Sequence, residues 1–128
     1  MSFHPEHTYV HLAEDGHASE LPGDVFWSLP KADMVTYGAG WLITEYLFTD
    51  DWPTWEMHPH GDEFVYLLSG AIELILEVDG AVRSSLMEGS GAVVVPRGVW
   101  HTAKVRAPSR MLHVTRGGET QTRPVDVA

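Results

Sequence analysis

The chain has 128 residues and a mass of 14.2 kDa, which predicts one domain spanning residues 1–128. A hydrophobic content of 44% and a charged content of 20% exclude an intrinsically disordered chain. A net charge of −10 argues against nucleic acid or an anionic membrane as a partner. Cysteine is absent, which excludes thiolate chemistry, and the first residues do not resemble a signal peptide. We therefore expect a cytoplasmic protein.

The predicted elements are short strands, taken here in chain order. A strand is expected over 8–12, followed by a loop over 16–24, and no long amphipathic helix is indicated. Asp79-Gly80 is a strong hairpin signal, and Pro96 ends a strand because proline cannot donate to a sheet ladder. The C-terminal residues 116–128 are predicted to be a loose tail. The remaining predicted strands cover residues 41–48, 64–68 (ending at Ser69-Gly70), 72–78, 81–86, 92–95 and 110–115.

Short strands at such regular spacing predict an all-β sandwich or barrel. Segments 64–68 and 93–95 are apolar on both faces, and strands of that kind must be covered on both sides. A single small barrel covers only one side. We therefore expect a homodimer formed by sheet packing.

The first segment that carries chemistry runs from Trp55 to Glu63. On an extended strand, Glu56, His58 and His60 would share one face, because residues two apart point the same way. The Gly61-Asp62 turn could then bring Glu63 towards them. Imidazole and carboxylate together suit a divalent transition metal such as Fe, Mn, Ni, Cu or Zn.

The second segment covers residues 96–101. Pro96 ends a strand, Gly98 permits a turn that needs positive φ, and His101 re-enters the sheet. His101 is therefore a further candidate metal ligand.

These two segments resemble the motifs of the cupins, which are small β-barrels of the jelly-roll or double-stranded β-helix type. The motifs are G-x5-H-x-H-x3–4-E-x6-G and G-x5-P-x-G-x2-H-x3-N, and the resemblance covers about residues 41–115. Pro96, Gly98 and His101 match the second motif, whereas Ser90 replaces its first glycine and Val105 its final asparagine. The resemblance implies an all-β cupin fold.

The first motif fits in two registers, because the spacing from His60 to Glu63 is one residue short. If the turn has lost a residue, His58 and His60 are the two histidines of the motif. Without a deletion, His58 is the second histidine and Glu56 takes the place of the first, as in the Trp-Glu-x-His-Pro-x-Gly-Asp-Glu pattern of one branch of small cupins. His58, Glu63 and His101 are ligands in both registers, and the fourth ligand is either His60 or Glu56.

Other residues are candidates for a ligand pocket. Trp55 and Trp100 adjoin the two motifs, and aromatic walls suit an apolar or planar ligand. His113 alternates with Leu112 and Val114, so it either faces the same cavity or lies exposed on the other side.

Two classes of function follow from the resemblance. The first is a metal-binding cupin that acts on a small organic molecule as an oxygenase, isomerase or decarboxylase. The second is a module that binds or senses a small ligand without chemistry, with or without a metal. A fold does not select between them.

Overall fold

The computed structural model describes residues 1–126, which are mainly antiparallel β structure. Two short helices, α1 (Gly23–Trp27) and α2 (Lys31–Met34), and a 3₁₀ turn (Val35–Gly38) separate the second strand from the third. No helix within residues 1–126 has both the length and the apolar character to cross a membrane. The strands are β1 (Thr8–Leu12), β2 (Ala18–Pro22), β3 (Trp41–Phe48), β4 (Thr54–Met57), β5 (Glu63–Val78), β6 (Ala81–Glu88), β7 (Gly91–Val95), β8 (Trp100–Thr115) and β9 (Gln121–Pro124).

Two sheets share the long strands β5 and β8. The first sheet runs β2-β1-β3, continues through the second half of β8 and the first half of β5, and ends at β7. The second sheet runs β9-β4, continues through the first half of β8 and the second half of β5, and ends at β6. All of these pairings are antiparallel, so the two sheets form a jelly roll whose halves are covalently continuous.

The bend between the sheets lies where Gly70 faces Ser109. The pairing of β5 with β8 shifts register between Leu67 and Ile72, and Gly70 has a φ of +103°. A Cβ on Gly70 would stand 2.3 Å from the Ser109 Oγ, so only glycine fits there. The Ser109 Oγ accepts a hydrogen bond from the Ala71 N–H at 3.0 Å. The predicted strand end at Ser69-Gly70 is therefore wrong: a bulge bends the strand there without ending it.

The core lies between the two sheets. Along the first half of β5, Val65 and Leu67 point inwards and are completely buried, as the alternation of a strand requires. Truncation of a side chain this deeply buried to alanine costs about 2–5 kcal/mol. The buried apolar cluster consists of Trp52, Val65, Leu67, Ile72, Leu74, Met87, Val95, Ala103 and Met111.

The predicted turns around the second motif and the hairpin are confirmed. Asp79 and Gly80 both have positive φ, as a two-residue hairpin between β5 and β6 requires. The Val99 N–H donates to the Pro96 carbonyl at 3.1 Å, and Gly98 in that turn has a φ of +79°. The second turn delivers His101 to the start of β8.

The two ends of the chain differ from the prediction. Part of the expected loop over 16–24 forms β2, which pairs along its length with β1. The expected loose tail contains β9, which pairs with β4. The Arg123 side chain of β9 also contacts the barrel: its guanidinium lies 4.5 Å from the Trp100 ring centroid and 5.3 Å from that of Trp55, and it forms an ion pair with Glu77.

Candidate metal centre

Four side chains from three strands and one connection meet at one end of the barrel. Glu56 lies on β4 directly opposite His101 on β8, and His58 follows just after β4. Glu63 is the first residue of β5. His58, Glu63 and His101 are at most 6% exposed, whereas the Glu56 side chain is about one-third exposed.

The distances from Glu63 to the two histidines fit shared coordination of a single ion. The Glu63 Oε1 lies 3.0 Å from the His101 Nε2 and 3.5 Å from the His58 Nε2, and the Glu56 Oε2 lies 4.0 Å from the His58 Nε2. Ligand atoms of Glu56, His58 and His101 all lie within 4.8 Å of one another. When two ligand atoms each lie about 2.1 Å from one ion, they are about 3.0 Å apart for a right angle at the ion and about 3.4 Å apart for a tetrahedral angle. The distances from the Glu63 Oε1 to the two Nε2 atoms are close to these values.

The tautomer of His58 is fixed by Thr120. The Thr120 Oγ1 donates its one proton to the Gly117 carbonyl at 2.9 Å. It therefore accepts a hydrogen bond from the His58 Nδ1, 2.8 Å away. The proton of the neutral ring is then on Nδ1, and the His58 Nε2 presents its lone pair to the cluster.

His101 is oriented in the same way by the backbone. Its Nδ1 lies 3.1 Å from the Val99 carbonyl oxygen, which can only accept a hydrogen bond. The proton of the neutral ring is again on Nδ1, so the His101 Nε2 also carries a free lone pair. A backbone carbonyl or polar partner on the second nitrogen is the usual arrangement for a metal-ligating histidine.

The two oxygens of Glu63 have different surroundings. The Oε2 accepts a hydrogen bond from the Thr115 Oγ1 at 2.5 Å and lies 3.5 Å from the His113 Nδ1. The Oε1 is buried and has no hydrogen-bond partner among the described residues, although both histidine Nε2 atoms lie nearby. One oxygen orients the carboxylate, and the other is left for a ligand.

With both imidazoles neutral, the cluster holds no positive charge. Two imidazole lone pairs face one carboxylate oxygen in a buried space, and the His58 and His101 Nε2 atoms have no hydrogen-bond partner within residues 1–126. Burial would raise the pKa of Glu63, but the neighbouring histidines hold it well below its ordinary value of 4.5. Burial would lower the pKa of His101, but Glu63 raises it above 6.5. The residues fit a divalent cation, which would satisfy all three unpartnered atoms at once.

His60 lies outside this cluster. Its side chain is 48% exposed, and its Nε2 lies 3.0 Å from the Glu119 Oε1. β4 ends at Met57, so the two-residue alternation that would place His60 beside His58 does not extend through Pro59. Of the two alternatives for the fourth ligand, the structure brings Glu56 to the cluster.

A cavity of about 820 Å³ adjoins the cluster, and Glu56, His58 and Glu63 contribute to its wall. His113 lines this cavity, which is the first of the two positions expected for it from the sequence. Trp55 and Trp100 instead flank Arg123. Sequence reasoning missed the main aromatic walls, because Phe26 and Trp27 are remote from both motifs and no local pattern ties them to a pocket.

The chain resembles several solved structures. It aligns with oxalate oxidase in complex with the substrate analogue glycolate at 14% identity and a TM-score of 0.55, over 63% of this chain and 45% of that one. It aligns with a cupin-2 domain protein from Shewanella frigidimarina at 15% identity and a TM-score of 0.50, over 59% and 69% of the two chains. The same identity and TM-score relate it to hydroquinone 1,2-dioxygenase PnpCD in complex with Cd²⁺ and 4-hydroxybenzonitrile, over 59% and 56%.

These similarities show the fold. The chain has the cupin fold, and the all-β jelly-roll prediction is confirmed. The chain spans less than half of the length of the oxalate oxidase that it matches. No protein-family model and no curated protein sequence matches it.

Proposed function

We propose that this protein is a metal-dependent enzyme of the cupin fold that acts on a small organic molecule held in the adjoining cavity. The ligands in this proposal are His58, Glu63 and His101, with Glu56 as the fourth. The observation that carries it is the pair of buried, unpartnered Nε2 atoms beside the unpartnered Glu63 Oε1. Burial of three such groups without partners is costly, and a cation removes that cost.

A bound transition ion supplies Lewis acidity and, where it is redox-active, electrons. The residues of this chain do the rest. Thr120 and the Val99 carbonyl hold both imidazoles with their lone pairs inwards, and Thr115 holds the Glu63 carboxylate. The Glu56 side chain is about one-third exposed and lines the cavity, so where it does not bind the ion it is placed to accept a proton from a ligand there.

Two of the solved structures that resemble this chain support a proposal of this kind. Oxalate oxidase and hydroquinone 1,2-dioxygenase are oxidative enzymes that act on small organic compounds, and the dioxygenase structure contains Cd²⁺. Oxidation or oxygenation is therefore the reaction type that we would assay first, before isomerisation and decarboxylation.

One observation favours a second function, in which the cavity binds a small ligand without a metal. The His101 Nε2 lies 3.0 Å from the Glu63 Oε1, and the pKa of His101 is raised. A protonated His101 would form an ion pair with Glu63 and supply the missing positive charge. In that case the protein is a binding or sensing module.

The deciding experiment is metal analysis by mass spectrometry of tag-free protein purified without chelator or immobilised nickel. We expect about one equivalent of Fe, Mn, Ni, Cu or Zn per chain. A protein that is purified without metal and also rejects each of these ions on titration would exclude the enzyme and leave the binding module.

We also propose that the active form is a homodimer. Phe64 and Val94 are cross-strand partners on the outer face of the first sheet, and they are 39% and 58% exposed. Phe64 stacks on Tyr66 and pairs with Val114 on its other side, which extends this apolar face across β5, β7 and β8. We expect sedimentation at micromolar concentration to give a dimer and Val94→Lys to give a monomer. A monomeric wild-type protein would contradict the proposal.

A further inference from the structure

Two glycines face each other where the helical segment (residues 23–38) meets the connection between β8 and β9. Gly38 ends the 3₁₀ turn, and Gly118 lies in the connection. A Cβ on Gly38 would stand 2.9 Å from the Gly118 Cα, and a Cβ on Gly118 would stand 3.0 Å from the Gly38 carbonyl oxygen. Neither glycine has a positive φ, so glycine serves here to let two backbones approach closely rather than to permit an unusual conformation.

The Gly38 side of this contact is fixed to β1. The His11 Nε2 lies 2.6 Å from the Ala39 carbonyl oxygen, and the His11 side chain is buried. A Cβ on Gly40 would stand 2.2 Å from the Leu12 carbonyl oxygen, so the backbone at Gly40 also lies directly against β1. This end of the helical segment therefore has little room to move away from the connection.

The Gly118 side of the contact carries the residue that orients His58. The Thr120 hydroxyl and the Thr120 N–H both donate to the Gly117 carbonyl, at 2.9 and 3.3 Å, which closes a turn around Gly118. The Thr120 Oγ1 lies 2.8 Å from the His58 Nδ1. The position of this hydroxyl therefore depends on the path of the backbone at Gly118, and the orientation of the His58 ring depends on the hydroxyl.

We propose that Gly38 and Gly118 are positioning residues for the metal centre, because their contact holds the turn 117–120 and thereby sets the orientation of the His58 imidazole. The inference rests on the proposed function in that it extends the support of the same metal centre to the helical segment. A group that binds a metal must be held within about 0.5 Å of its productive position. A methyl group between the two backbones requires a shift of a few tenths of an ångström, and the connection is the side that moves.

The test compares Gly118→Ala with Gly117→Ala, which are neighbouring substitutions of the same size. A Cβ on Gly117 meets only the Thr120 Oγ1, at an ordinary distance of 3.8 Å, so this variant is the matched control. Competition between Zn²⁺ and a chromophoric chelator should show about a fivefold loss of affinity in Gly118→Ala, less than the loss on removing a supporting group outright, and less than about a twofold change in Gly117→Ala. Gly38→Ala inserts a methyl group into the same contact from the other side and should repeat the loss.

A double-mutant cycle separates positioning from a general loss of stability. If Gly118 acts through Thr120, then Gly118→Ala in a Thr120→Val background should change the affinity for Zn²⁺ by less than about twofold, because the bond that it disturbs is already absent. A role confined to the stability of the fold would give the same loss in both backgrounds.

Metal-free protein tests the same inference independently of the proposed function. Correlated ¹H–¹⁵N spectra of the imidazole nitrogens report the hydrogen bond at the His58 Nδ1. Gly118→Ala should shift this signal in the direction in which Thr120→Val shifts it, whereas Gly117→Ala should leave it in place.

A wild-type protein that binds no metal but shows this shift contradicts the proposed function and supports the inference, so the two failures are distinguishable. An unchanged His58 signal in Gly118→Ala would overturn the inference. Unchanged Zn²⁺ affinity in Gly118→Ala, when the wild type binds Zn²⁺, would also overturn it, as would an equal loss of affinity in the two backgrounds of the cycle.

Discussion

His58 and His60 are two residues apart and have opposite surroundings. The His58 side chain is buried, its Nδ1 is bonded to Thr120, and its Nε2 faces Glu63. The His60 side chain is half-exposed, and its Nε2 contacts the Glu119 carboxylate at the surface. An exposed pair of this kind contributes about 0–1 kcal/mol. The comparison teaches that a polar partner on Nδ1 and burial of Nε2 distinguish a candidate ligand from a surface histidine.

The largest difference is expected between His101→Ala and His60→Ala. Loss of His101 removes a proposed buried ligand, so metal affinity should fall more than about a hundredfold, beyond the range of changes at residues that only support ligands. His60→Ala should change affinity less than about twofold. Competition with a chromophoric chelator measures both values, and circular dichroism checks that the fold is kept. Unchanged metal content in His101→Ala would remove His101 from the site.

Glu56→Gln should have the next largest effect. It keeps the size of the side chain and removes the charge of the proposed fourth ligand, so metal affinity should fall about tenfold or more. Calorimetric titration with the metal gives this value, and His60→Ala again serves as its control. A larger loss in His60→Ala than in Glu56→Gln would reverse the choice between the two registers of the first motif.

Thr120→Val tests whether the hydrogen bond to the Nδ1 of His58 supports metal binding. Valine has nearly the same shape as threonine but cannot accept the bond from Nδ1. We expect about a tenfold loss of metal affinity, at the low end of the range for supporting residues. Thr8→Val on β1 is a control outside the cavity wall. Equal affinity in the wild type and Thr120→Val would show that Thr120 does not orient the ring.

The pH dependence of the metal-free protein is the smallest of these effects. The pKa of His101 is raised by Glu63, so its stabilising contribution is complete below pH 6.5 and is lost as the pH rises through the raised value. The pKa of Glu63 is lowered, so its contribution is lost as the pH falls below 4.5. We expect the melting temperature of metal-free protein to fall from pH 6 to pH 8, while metal affinity rises because protons no longer compete. A melting temperature that rises over this range without metal would contradict the His101–Glu63 pairing.

The fold could be predicted largely from local patterns, because alternation and turn residues are properties of neighbouring positions. Residues 41–48 form β3 as predicted, and Asp79-Gly80 forms the hairpin. The continuity of β5 through Gly70 could not be predicted, since it depends on Ser109, which is distant in sequence. β9 was missed for a similar reason: its polar residues pair with β4, which is distant in sequence, and Arg123 contacts Trp55 and Trp100.

The sequence predicted which residues form the candidate site better than it predicted the contacts between them. The sequence motifs named the four residues that the structure brings together, but spacing alone could not choose between Glu56 and His60. That choice depends on the end of β4 at Met57. The roles of Thr115 and Thr120 have no local signature, because a threonine becomes a partner of Glu63 or His58 only through the fold.

The position of Thr120 has a practical consequence for engineering the protein. A chain shortened at Thr115 would keep all four residues of the cluster and both cupin-like motifs. It would nevertheless lose the hydroxyl that orients His58 and the strand that pairs with β4, which carries Glu56. A library of random substitutions should therefore treat residues 117–124 as part of the site.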